Sequence, residues 1–172
     1  LSSAAGREEQ LLRKVVQAKG QPDLTLIRDL GQIIGKQVNG SKRDELLGQL
    51  LAELGDSPAA IALAAGFADS TGGLSKSDAL AAVQQRAAKS AAVNGESPER
   101  LLAIDLLGFS TFEAAGSALL DVLKSSDLNA QLAAVRAMAR LPEEAAVRAL
   151  IEPARWAQFP PAIRAAVLNA LG

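Results

Sequence analysis

The sequence contains no cysteine and no histidine. Without cysteine, neither a disulfide framework nor a reduced thiol marks the redox compartment. Without histidine, Ser-His-Asp and Cys-His catalysis are excluded, with almost every zinc or haem ligand set. Aromatic residues make up only 3% of a chain whose apolar fraction is 49%, so the core has to be built from Ala, Leu, Val and Ile. Small and straight-chain residues of this kind favour helix over strand. There is no excess of one charge either: the formal net charge is −1, with both signs in every region. A generic nucleic-acid binder needs Lys and Arg concentrated on one face, so no nucleic-acid partner is expected. Long apolar runs are missing too. The longest, "AAIALAAGFA" at residues 59–68, is half the roughly 20 residues of a membrane helix, so no membrane insertion is expected. The opening "LSSAAGREEQ" lacks the basic start and apolar run of a secretory leader. It also lacks an initiator Met, and reads as a piece of a longer chain or a processed product.

What is present is helical periodicity. Leu11, Leu12, Val15 and Val16 form one stripe that stops at Gly20, and Leu26, Leu30, Ile33 and Ile34 form another after Pro22. Ser41 caps a helix that stops at Gly55. Ser57-Pro58 and Ser97-Pro98 each read as an N-cap followed by Pro at the first helical position. "STGGLSKS" (70–77) is the most loop-like stretch, and a longer helix follows it. Ser110 and Glu113 are spaced as a capping box, Asp127 is a further cap, and Pro142 and Pro160-Pro161 open the last two helices. The total is about ten short helices and no stretch with the alternation of a strand.

One sentence is written three times. "ERLLAIDLLG" (99–108), "AQLAAVRAMA" (130–139) and "AIRAAVLNALG" (162–172) align Arg100 with Gln131 and Arg164. Ala103, Ala134 and Val167 follow, then Ile104, Val135 and Leu168, then Leu106, Ala137 and Ala170, then Leu107, Met138 and Leu171. The steps are 31 and 33 residues, with another amphipathic helix between copies. A helix pair repeated at that interval is the signature of an α-solenoid, because one pair cannot bury its stripe alone. The chain therefore reads as all-α: a HEAT- or armadillo-like right-handed superhelix of about five antiparallel pairs. It spans 1–172 as a single domain, divergent over 1–95 and clearer over 96–172. Gly108 and Gly172 close two copies, where a left-handed turn would end the helix.

The recurring Arg has two readings. In one, its stem packs along the stack and its guanidinium bonds a neighbouring helix end or carboxylate. In the other, Arg100 and Arg164 belong to a ligand-facing row, which Gln131 interrupts. Trp156, beside Arg155 and near Phe159, is an interface anchor or a plug between the last helices. Arg100, Arg155, Trp156 and Arg164 are the candidate interaction residues. "GKQVNGSK" (35–42) is near a phosphate-binding loop, but its last pair is reversed and no strand precedes it. Asn39-Gly40-Ser41 is a formal glycosylation acceptor that reads as an exposed turn. The pairs Glu8-Glu9, Asp44-Glu45 and Glu143-Glu144 lie at helix starts, where the dipole favours negative charge. Arg7, Arg13, Lys14, Lys19, Lys36, Lys42 and Arg43 read as solvated faces.

The pattern of Arg, Ala and Leu-Gly on alternate helices resembles HEAT-like repeats. The order Arg100–Gly108, "ALLDVLKSSDLNAQLAAVRAMA", then Trp156 and "FPPAIRAAVLNALG" is similar to the HEAT-like segment of large multidomain proteins of planctomycetes and their relatives. In that family a propeller domain resembling sugar dehydrogenases precedes the repeats, and a cytochrome c-type domain with a CxxCH haem motif follows. The resemblance implies a secreted or periplasmic parent and a linking role. No haem-binding residue carries over, since the chain has no Cys. The expectation is a non-enzymatic scaffold or spacer without cofactor. Its partner is another protein or a neighbouring domain of its parent, and exposed stack ends could pair in a dimer. The alternatives are a HEAT-like DNA glycosylase and a HEAT-like tetrapyrrole lyase or chaperone. A metal-dependent HEAT-repeat hydroxylase is excluded by the missing His.

Overall fold

The computed structural model describes residues 4–17, 22–38, 41–73, 78–93 and 95–172. Among these the chain is all-α: eleven helices and no strand. Its contacts group into two compact units, Leu1–Arg86 and Ala87–Gly172.

The first unit holds α1 (Ala4–Gln17), α2 (Leu24–Gln37), α3 (Ser41–Leu54), α4 (Pro58–Thr71) and the start of α5 (Asp78–Ala92). The apolar run 59–68 is the middle of α4, and every one of its residues is buried. A helix apolar on all sides has to be surrounded, and α4 is its unit's core. It packs on α1's neighbour α2 and on α3. Glycines bring α2 and α4 close. A Cβ at Gly66 would overlap the Arg28 carbonyl oxygen, and one at Gly31 would lie 2.7 Å from the Leu63 carbonyl oxygen. Ser57 stands at the N-cap of α4 as expected, but its side chain makes no capping bond, and α2 has a cap that the sequence reading did not name. Asp23 caps α2 by accepting from the amides of Thr25 and Leu26 at 3.0 and 3.1 Å. Gly55 leaves α3 at φ 52°, and Gly72 leaves α4 at φ 69°, both in the left-handed region that favours glycine. Ser70 and Thr71, expected in the loop, are instead the last residues of α4.

The second unit holds the end of α5, α6 (Pro98–Leu107), α7 (Phe112–Val122), α8 (Leu128–Arg140), α9 (Glu144–Ile151), α10 (Pro153–Gln158) and α11 (Pro161–Leu171). The three repeated stretches are α6, α8 and α11. They stack in that order, α8 touching both others, while α7 and α9 pack alongside. The repeated Ala103, Ala134 and Val167 are all buried.

Several boundaries differ from the sequence reading. The additional helix is α10, where Glu152 accepts from the amides of Ala154 and Arg155 and Pro153 takes the first position. The cap of α7 is Thr111 rather than Ser110; its hydroxyl accepts from the Ala114 amide at 3.3 Å. The helix after Pro142 begins at Glu144, with Glu143 as its N-cap. Gly108 does not make a left-handed turn. Its backbone stays right-handed (φ −67°, ψ −8°), and its need for glycine is contact: a Cβ there would lie 2.8 Å from Ala137 Cα of α8.

Candidate functional site

The repeat's polar position is where the sequence placed its sharpest question. The three side chains do one job. Arg100 Nε donates to the Ala91 carbonyl oxygen at 3.1 Å, and its Nη1 to that of Gly95 at 3.3 Å. Gln131 Nε2 donates to the carbonyl oxygens of Leu123 at 2.9 Å and Ser125 at 2.7 Å. Arg164 Nε donates to the carbonyl oxygen of Trp156 at 3.2 Å, and its Nη2 to that of Ala157 at 2.9 Å. Each therefore reaches back eight or nine residues to the end of the preceding helix: α5, α7 and α10. The last carbonyls of a helix have no partner within it, and its negative dipole end attracts donors. A side chain from the next helix closes them three times over. Gln131, which breaks the Arg row by residue type, continues it by function, since its amide is also a donor.

The ladder is built into the fold. Arg100 is 3% exposed and Gln131 8%. Arg100 Nη1 also meets Asp127 Oδ2 at 3.0 Å, while Asp127 Oδ1 caps α8 through the Ala130 amide at 3.1 Å. Asp127 thus ties the guanidinium of one repeat helix to the start of the next. A second tie joins the same helices. Arg140 Nη1 meets Asp105 Oδ1 at 3.0 Å, and its guanidinium lies 4.3 Å from the centroid of the Phe109 ring.

Of the four candidate interaction residues, Arg100 is enclosed and committed to internal bonds. Arg164 is half-buried and engaged as above. Arg155, also half-buried, donates to the Ala149 carbonyl oxygen. Trp156 is half-buried and meets Phe159 edge-on, with centroids 6.5 Å apart at 68°. Two open hollows lie beside the ladder. One, of about 400 Å³, is lined by Glu96, Ser97, Pro98, Arg100, Leu101 and Asp127. The other, of about 220 Å³, brings Gln131 together with Arg155, Phe159 and Pro160. Each sits between a ladder residue and the cap of the next repeat helix.

Members of two acidic pairs have local partners. Glu144 pairs with Arg148 at 2.8 Å, and Glu45 accepts from Gln49 at 3.4 Å. The side chains of Glu8-Glu9 and Lys19 lie outside the described residues. Of the basic residues, Arg13 pairs with Glu53 and Arg43 with Asp44. In 35–42, Gly35 is buried in α2 against Ser70 and Phe67, and the helix ends at Gln37. Asn39 and Gly40 lie outside the described residues. The Glu152 carboxyl is held below its ordinary range: the amides of Ala154 and Arg155 donate to its charged form, with help from the nearby Arg155 guanidinium. Among the described residues no His, Cys, Asp and Glu group into a metal-ligand set, and no helix is long and apolar enough to cross a membrane.

The arginines bond a neighbouring helix end or carboxylate, as the first of the two sequence readings had it; what sequence reasoning missed is that Gln131 does the same. The signal was weak but present: each donor stands eight or nine residues after the end of an amphipathic stretch. Comparison with protein-family models, with curated proteins and with solved structures gave no match.

Proposed function

We propose that the chain is a non-catalytic helical-repeat module, a scaffold or spacer that presents stacked helices to a protein partner or to neighbouring domains of a larger parent. The observation that carries this reading is the ladder. The polar side chains that recur with the repeat close the ends of the preceding helices, and Arg100 also joins its helix to the next repeat helix through Asp127, so the repeated feature of the sequence serves packing of the stack. The resemblance of residues 100–172 to the HEAT-like segment of planctomycete-type multidomain proteins supports the same reading, and with it an extracytoplasmic parent. The test has two parts. Cross-linking of the full-length protein in its producing cell is expected to join these helices to polypeptide. Titration with duplex DNA is expected to show no affinity that falls steeply between about 50 and 200 mM salt, the behaviour of a phosphate-binding face. Salt-dependent duplex binding would overturn the scaffold reading in favour of a concave DNA-binding face.

A further inference from the structure

Three repeat positions change character along the stack. Ile104, Leu106 and Leu107 of α6 are buried, and so are Val135, Ala137 and Met138 of α8. Their counterparts in α11 are Leu168, 62% exposed, Ala170, exposed, and Leu171, 37% exposed. The first two helices have a following repeat helix stacked on them, α8 on α6 and α11 on α8. The third has none among the described residues. Ala162 and Ala165 continue the exposed face, and α11 carries no acidic residue at all.

The ladder says what chemistry belongs on that face. Where the ladder residue is Arg100, the helix stacked on it has an acidic N-cap, Asp127, bonded to the guanidinium at 3.0 Å. Where the ladder residue is the neutral Gln131, the helix stacked on it has Pro160 as its N-cap, with no side-chain acceptor. In the third copy the ladder residue is again an arginine. Arg164 uses Nε and Nη2 on the end of α10, as Arg100 uses its own nitrogens on the end of α5.

The geometry points to the outer face of α11 as a docking surface for one further helix pair of the same repeat type. This rests on the scaffold reading and names its partner class. The stacking helix of that pair has Asp or Glu at its N-cap, set against Arg164. It has a small residue where α8 has Ala137, because Gly172 stands in the place of Gly108, whose close neighbour is Ala137. A second copy of this chain set face to face on α11 would match Leu168 with Leu168 but would bring no α11 carboxylate to either Arg164.

The test extends the full chain after Gly172 with a second copy of residues 109–140, which carries α7, α8 and the aspartate cap. Leu168→Glu is then made in both the natural and the extended chain. The substitution is expected to leave the urea midpoint of the natural chain unchanged and to lower that of the extended chain. Amide exchange in α11 is expected to slow by about tenfold or more on extension. Asp127→Ala in the grafted copy should reverse part of that slowing. Equal effects of Leu168→Glu in both chains, or a grafted segment that stays non-helical by circular dichroism, would overturn the proposal. So would self-association of the natural chain that Leu168→Glu abolishes, which would make a second copy the occupant. DNA binding by a chain that passes this test would remove the scaffold reading alone; a chain that binds no DNA and fails it would lose only the docking surface.

Discussion

Replacing Arg100 by Ala should be the most damaging polar substitution in the second unit. The side chain is 3% exposed and donates to the carbonyl oxygens of Ala91 and Gly95 and to the Asp127 carboxylate. Truncation removes all three bonds at once and leaves Asp127, only 13% exposed, without its cation. Breaking a buried ion pair by removing one partner costs about 3–5 kcal/mol. Asp127 keeps its capping bond to the Ala130 amide, which places the expected loss near the lower end, about 3 kcal/mol. Gln131→Ala removes two neutral hydrogen bonds, 2.9 and 2.7 Å long, and should cost about 2 kcal/mol. Arg164→Ala acts at a half-buried site with two bonds to carbonyl oxygens and should cost about 1 kcal/mol. The assay is urea unfolding followed by circular dichroism, comparing midpoints at constant slope. Arg100→Lys keeps the charge but loses the planar fork that reaches several acceptors, and should recover only part of the loss. Asp127→Asn combined with Arg100→Ala should be less than additive, because the two groups share one bond. If Arg100→Ala lies within about 0.5 kcal/mol of the natural chain, the ladder is ornamental and the reasoning is wrong. An Arg164 loss larger than the Arg100 loss would refute it equally.

The glycines offer a test by sign. Gly66→Ala should destabilise despite the better helix propensity of Ala, because its Cβ would overlap the Arg28 carbonyl oxygen, whereas at Gly48 nothing lies within 4 Å and Ala should stabilise by about 0.5–1 kcal/mol; thermal unfolding of both variants decides it. Thr111→Ala should cost about 1 kcal/mol as the loss of an N-cap, and Ser110→Ala should be close to neutral, a comparison that separates the observed cap from its neighbour. The Glu152 carboxyl is held below its ordinary value of 4.5, so its stabilising effect is fully present above that pH and is lost as pH falls through the lower folded value. The stability difference between Glu152→Gln and the natural chain should therefore be constant near neutrality and shrink below pH 4.5. A difference that grows on acidification would contradict the sign.

Most helices were legible because the information is local. In the α2 stripe Leu30 and Ile34 are buried as read, while Leu26 and Ile33 are exposed and Ile27 is buried instead; caps such as Ser97 and Asp127 bond amides three residues on. The helix α10 escaped because it has six residues, too few to display a period. The run 59–68 was legible as apolar, and its burial on every side appears only in the packed unit. Repetition made the α6–α8–α11 stack readable, since the same stripe three times over has only its own copies to bury it.

What the sequence by itself determined is the all-α class, the place of most helices and the repeated register, because each depends on contacts within a few residues. Only the tertiary structure decided the roles of particular residues. Gly108 has a right-handed backbone and is glycine because Ala137 of another helix lies against it. Gln131 looks like a lapse in an arginine row, and becomes its continuation once the Leu123 and Ser125 carbonyls are within reach. Leu168 follows the pattern of Ile104 and Val135, yet it alone faces solvent. The physical reason is the same in each case. A side chain's type is written at its own position, but its partner is brought to it by the packing of helices far apart in the chain.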